Sequence, residues 1–80
     1  MADWRGKIVV DPDIMFGKPV IAGTRIPVEN ILRKLAQGRS VDDIITIDYP
    51  QLTKDQVLAT IAYASDVVAM ERVVPIDSDK

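Results

Sequence analysis

Gly17-Lys18-Pro19-Val20-Ile21-Ala22-Gly23-Thr24-Arg25-Ile26-Pro27-Val28 is the stretch that decides the fold. Val20-Ile21 reads as a short apolar strand and Gly23-Thr24 as a turn. Gly17 and Gly23 can take φ > 0 without a Cβ clash. Pro19 and Pro27 fix φ and lack an N–H, so they bracket the strand and limit its ladder bonds. Pro27 is then expected at the first position of a following helix, where its missing donor costs nothing. Within a dozen residues a small β element becomes a helix. The residues before the stretch feed that β element, and those after it read as helical until the tail.

Upstream, Ile8-Val9-Val10 is a β-branched run that is expected to pair with Val20-Ile21 in a hairpin. Asp11-Pro12-Asp13 is turn chemistry, because an Asp side chain can accept from backbone N–H groups ahead of it. Ile14-Met15-Phe16 reads as an apolar patch folded over the core. Trp4 lies outside any pattern, and either caps the edge of the core or lies exposed.

Downstream, Val28, Ile31, Leu32, Leu35 and Ala36 fall on one helical stripe, with Glu29, Asn30, Arg33, Lys34 and Gln37 on the other face. This predicts a first helix over residues 28–37, stopped at Gly38. Arg33, Lys34 and Arg39 gather at its C-terminal end. The helix dipole alone accounts for cations there, and a phosphate-binding patch is the functional alternative. Ser40-x-x-Asp43 resembles a capping box and opens a short second helix that Tyr49-Pro50 ends. Thr53-Lys54-Asp55-Gln56 fits a second capping box, and Leu52 with Val57 fits a hydrophobic staple, so a third helix runs from there to about residue 69. One apolar stripe on it is Val57, Leu58, Ile61, Ala64/Ser65 and Val68. A second is Tyr63, Val67, Met70 and Val74, which is either a partner surface or one side of a wide buried stripe. Glu71 to Lys80 form a tail whose Val73-Val74 pair suits an edge strand or an arm for another chain.

Eighty residues make a single domain: a hairpin over 7–27, a helical unit over 28–70 and a tail over 71–80. The fold class expected is mainly α with a small N-terminal β-hairpin, a three-helix unit of helix-turn-helix type. A core this small supplies only about 3–5 kcal/mol, so self-association or a partner is expected. The chain has neither cysteine nor histidine, which removes disulfides, thiolate metal sites and the commonest general base. No nucleophile–base pair is visible, so no catalytic residue, no metal and no cofactor is expected. The opening residues lack the apolar run of a signal peptide, and no segment is long enough to span a bilayer, so the expectation is a cytoplasmic protein without membrane contact.

The net charge is −2, yet residues 1–39 carry seven Lys/Arg against four Asp/Glu and residues 40–80 carry three against eight. The basic front half offers Lys18, Arg25, Arg33, Lys34 and Arg39 as candidate DNA-phosphate contacts. Helices two and three have helix-turn-helix proportions, and the would-be recognition helix opens with Thr53, Lys54 and Gln56, which can reach phosphates and base edges. Gly23-Thr24-Arg25 also has the makings of a small anion site, although pairing of Arg25 with Asp11 or Asp13 is the plainer expectation.

Asp11-Pro12 followed by Gly17-Lys18-Pro19-Val20-Ile21-x-Gly23-Thr24-Arg25-Ile26-Pro27-Val28 resembles the signature of the domain-of-unknown-function 433 family. Leu35-Ala36-x-Gly38, Tyr49-Pro50-x-Leu52-Thr53 and Ala62-Tyr63-Ala64 fall in the family's order too, so the resemblance covers about residues 7–69. It implies a small bacterial or archaeal domain of helix-turn-helix type. Members are commonly read as antitoxins encoded beside a toxin with a PIN-like nuclease fold. The function expected is therefore neutralisation of a PIN-like ribonuclease, with autoregulation by operator DNA bound as a homodimer. A stand-alone DNA-binding regulator is the alternative. Tyr63, Val67, Met70, Arg72 and Val74 are the expected partner-binding residues, with Arg72 as the cation for a nuclease's carboxylate cluster.

Overall fold

Ile8–Val10 (β1) and Pro19–Ile21 (β2) pair antiparallel, with Ile8 opposite Ile21, Val9 opposite Val20 and Val10 opposite Pro19. Pro19 stands at the end of the ladder, where a missing N–H is tolerated. The computed structural model describes residues 3–70. Past β2 the chain reverses at Gly23-Thr24. The Thr24 hydroxyl donates to the Ile21 carbonyl at 2.8 Å and accepts from the Ile26 amide at 3.0 Å. One side chain thus closes the turn in both directions.

The reversal brings Pro27 back beside Val20 as an isolated bridge. For that reason Pro27 does not open the helix as expected. Its backbone is extended (φ −69°, ψ 139°), and it caps α1, which runs Val28–Ala36. Val28 and Ile31 are buried, with Leu32 and Leu35 packed against the same core. The helix stops where Gly38 takes a φ of +98°. The Arg39 amide reaches the Lys34 carbonyl and the Gly38 amide the Leu35 carbonyl, both at 3.0 Å. This is the Schellman arrangement that a left-handed glycine permits.

The second helix starts with the Ser40 hydroxyl accepting from the Asp43 amide at 3.0 Å. Val41–Asp43 (α2) is one short turn, and a wider π-type turn over Ile44–Asp48 continues it. That turn closes with the Tyr49 amide on the Ile44 carbonyl at 2.7 Å. Its extra residue rotates Asp48 and Tyr49 relative to an ordinary α-turn. The third helix, α3, spans Lys54–Met70. Its capping box is complete: the Gln56 amide donates to the Thr53 hydroxyl at 3.2 Å, and the Thr53 amide donates to the Gln56 side-chain oxygen at 2.7 Å. Leu52 and Val57 are both buried, as a staple requires.

The protein is thus mainly α, with an N-terminal two-stranded hairpin and three helices among the described residues. α3 packs on α1, α2 and β1 through Val57, Ala59, Thr60 and Ala62. The two alanines let backbones approach closely, and the buried Thr60 hydroxyl is satisfied by the Val57 carbonyl at 2.7 Å. This corrects the expected stripe. Of Val57, Leu58, Ile61, Ala64/Ser65 and Val68, only Val57 is fully buried, and Ile61 and Val68 face solvent. The reason is steric: the side pressed on the hairpin takes the small residues and leaves bulkier ones outside.

Phe16 is a second correction, for it does not fold over the core and is 97% exposed. Met15, Phe16 and Gly17 have φ of 51°, 59° and 82° in succession. This left-handed turn throws the ring outward. Trp4 is resolved in favour of the edge of the core. It is half-buried, with its ring edge-on to Tyr63 at a centroid distance of 4.9 Å.

Candidate functional site

The outward face of α1 carries Asn30, Arg33, Lys34 and Gln37 at i, i+3, i+4 and i+7, the spacing that places four side chains on one side of a helix. Together with Tyr49 they line an open, mainly polar cleft of about 310 Å³. Its two walls are held separately. α1 is fixed by the burial of Val28 and Ile31 on its opposite face. Tyr49 is fixed by its own amide bond to Ile44 and by the Leu52 amide, which donates to the Tyr49 carbonyl at 2.9 Å.

Two carboxylates organise the cations around this cleft. Glu29 lies 3.0 Å from Lys18 and 3.3 Å from Arg33. Asp48 accepts two bonds from Arg39, at 3.0 Å from Nε and 2.8 Å from the terminal nitrogen, and lies 3.8 Å from Lys34. The ammonium of Lys34 also stands 5.9 Å from the centroid of the Tyr49 ring. Hydrogen bonding from Arg39, then its charge, holds the Asp48 carboxyl below the usual carboxylate range; Asp48 in turn raises Arg39. Hydrogen bonding from Lys18, followed by its charge and that of Arg33, lowers Glu29 in the same way. Both acids are therefore ionised at neutral pH. Four cations against Glu29, Asp48 and Asp43, whose charge also acts on Arg39, leave this face with a surplus of one positive charge (4 − 3), on a chain whose net charge is −2.

Of the candidate DNA contacts, Lys18, Arg33, Lys34 and Arg39 are thus brought together along one face. Arg25 is not among them. It lies exposed in the Gly23-Thr24 turn and forms no ion pair among the described residues. Its expected pairing with Asp11 or Asp13 is not found. The antiparallel register puts the Asp11 loop and the Gly23 turn at opposite ends of the hairpin, and Asp11 instead accepts from the Asp13 amide at 2.9 Å. Lys54 is exposed in the first turn of α3, while Thr53 and Gln56 spend their side chains on each other's backbone. Asn30, Gln37 and Tyr49 were missed as candidates. The polar i, i+3, i+4, i+7 pattern of α1 was the signal for the first two; Tyr49 needed the π-type turn.

A second feature lies on α3. Leu58, Ile61, Ser65 and Val68 succeed one another on its outer side, with Ile61 41% and Val68 64% exposed. Met70 is exposed because the last turn of α3 passes beyond the core. Tyr63 and Val67 are half-buried, Tyr63 against Trp4. Arg72 and Val74 lie outside the described residues. Among the described residues no group of three or more Asp and Glu side chains is arranged to hold a metal. No helix among them is long and apolar enough to cross a membrane.

Comparison with known proteins places this geometry in a family. A relative from Sinorhizobium fredii, described as the uncharacterized protein y4eO, is 33% identical over 64 residues, which cover 80% of this chain and 28% of y4eO. The chain therefore spans less than a third of that relative's length. No solved structure matches the chain. The family model described as "Protein of unknown function (DUF433)" matches residues 8–64, from the first strand to the middle of α3. With more than half of its length inside that match, including the hairpin, the whole of α1 and the Tyr49 turn, the chain belongs to the DUF433 family.

Proposed function

We propose that this protein is a non-enzymatic, antitoxin-like binding module that neutralises a PIN-like ribonuclease and works as a homodimer on its operator DNA. One observation carries the reading: the outer side of α3 presents Ile61 and Val68 to solvent, although a domain this small has little apolar surface to spare. A helix face of this kind serves as an anchor row for a groove on another protein. Residues 71–80 follow directly and contribute Arg72 and Val74 to the same proposal. A PIN-type site is a carboxylate cluster holding a divalent metal, and a guanidinium inserted there displaces or screens the ion. The test is inhibition of the neighbouring PIN-like nuclease by purified protein. Val68→Lys and Arg72→Ala are expected to weaken inhibition at least tenfold without changing the circular dichroism spectrum. Full inhibition by both variants would remove the outer side of α3 and the tail from the mechanism.

The cations around the α1 cleft support a second reading, a stand-alone DNA-binding regulator. It requires binding to upstream DNA that weakens steeply with salt and needs no nuclease partner.

A further inference from the structure

The geometry points to a nucleotide-phosphate site in the cleft between the outward face of α1 and Tyr49. It rests on the nucleic-acid half of the reading above and gives that half a place on the molecule, away from the start of α3, where a helix-turn-helix would be expected to read bases. Three observations converge. First, Arg33 and Lys34 stand side by side on the cleft wall, each steadied by a carboxylate that a second cation shares. Glu29 and Asp48 thus position both cations without neutralising the face, which suits an anionic phosphate. Second, Asn30, Gln37 and Tyr49 line the same cleft, and their side chains make no hydrogen bond among the described residues. Primary amides offer paired donors and acceptors, the pattern that binds the edge of a base. Third, the volume of about 310 Å³ falls at the lower end of the range for small-molecule sites, roughly 300–1,000 Å³, and the polar lining excludes an apolar ligand.

The ligand is a nucleoside phosphate, either free or as one unit of a strand. An acidic peptide also satisfies two cations and can bond the amides through its backbone, so it is the rival that the experiment must exclude.

Nuclear magnetic resonance titration of the isolated chain decides the matter, because Asn30 is the only asparagine in the sequence and its side-chain amide signal is unambiguous. The probes are adenosine 5′-monophosphate, inorganic phosphate, a short single-stranded oligonucleotide and an Asp/Glu peptide. Adenosine monophosphate or the oligonucleotide is expected to shift the Asn30 and Gln37 side-chain amides. Arg33→Gln/Lys34→Gln is expected to weaken that binding at least tenfold, and Gln37→Ala gives a milder second variant should the double one fold poorly. Tighter binding of the oligonucleotide, with a log–log salt slope of about −1.4 for two phosphate contacts, identifies a strand; equal binding of the mononucleotide identifies the free ligand. Either outcome supports the site. Binding of phosphate or of the peptide as tight as that of the nucleotides overturns it, as does the absence of any shift at millimolar ligand. No nuclease is present in this experiment, so a negative result leaves neutralisation standing, and a failure of neutralisation leaves the cleft untouched.

Discussion

The indole nitrogen of Trp4 donates to the Asp66 carboxylate at 2.6 Å, across 62 positions of the chain. The ring meets Tyr63 edge-on, and the Trp4 carbonyl accepts from the amides of Lys7 and Ile8, at 2.9 and 3.1 Å. One residue therefore fixes the entry into β1 and ties it to the last third of α3. Trp4→Phe keeps a ring and loses the N–H. It is expected to cost about 1.5 kcal/mol, the low end for a hydrogen bond to a charged group. Trp4→Ala also loses the aromatic contact, and about 2–3 kcal/mol is expected for a half-buried ring. Urea unfolding followed by circular dichroism measures both. Equal losses for the two variants would mean that the ring's contact with Tyr63 contributes nothing beyond the hydrogen bond.

Phe16 makes the opposite case, a side chain the fold would be more stable without. It sits at φ 59° and ψ 32° with its ring in solvent. A left-handed non-glycine residue costs about 1–2 kcal/mol. Phe16→Gly removes that cost and gives up no packing. A gain of about 1 kcal/mol is expected, read as a rise of roughly 4–8 °C in the unfolding midpoint of a domain this size. Phe16→Ala is the control, because its Cβ keeps the strain and the midpoint should stay in place.

Some elements announced themselves in the sequence because their chemistry is local. The hydroxyls of Ser40 and Thr53 cap the helices that follow them, Gly38 stops α1, and the hairpin joins the two β-branched runs that flank a turn-rich stretch. Each depends on residues only a few positions apart. The facing of α3 was not legible. Nearly every position from Val57 to Met70 is apolar or small, so periodicity has no polar side to define an inside. Burial followed size, with Ala59 and Ala62 inward and Ile61 and Val68 outward. The α1 cations were visible one by one, but the acid that gathers Lys34 and Arg39 was not. Asp48 reaches them through the π-type turn, a backbone feature without a reliable residue signature.

That acid supplies a prediction about pH. The folded-state pKa of Asp48 is lowered from 3.8, first by the hydrogen bond from Arg39 and then by the charges of Arg39 and Lys34. A depressed carboxylate contributes stability that is fully present above its unfolded value and is lost as pH falls through the folded one. Glu29, lowered from 4.5 chiefly by Lys18, acts in the same sense. Stability should therefore decline as the solution is acidified below about pH 4. Asp48→Asn should lower stability at neutral pH and flatten the decline, leaving the part due to Glu29 and Asp3. Urea midpoints measured from neutral to strongly acidic pH would show it. Curves for the two proteins that run parallel throughout would mean that the Arg39 pair forms no part of the folded state's acid sensitivity.

Self-association through α3 is the remaining prediction, and its logic is one of mass action. Val68 is 64% exposed, so within a single copy Val68→Lys removes no buried contact and should leave monomer stability within about 0.5 kcal/mol. If a second copy covers that side, two further effects follow. The unsubstituted chain sediments as a dimer at micromolar concentration, and its unfolding midpoint rises with protein concentration, because association stabilises only the folded state. Val68→Lys would then place two ammonium groups in or beside a desolvated seam, which gives a monomer whose midpoint no longer depends on concentration. Sedimentation velocity and thermal scans across a hundredfold range of concentration test both together. A monomer with a constant midpoint in the unsubstituted chain would exclude a second copy as the occupant and leave the outer side of α3 to the nuclease partner alone.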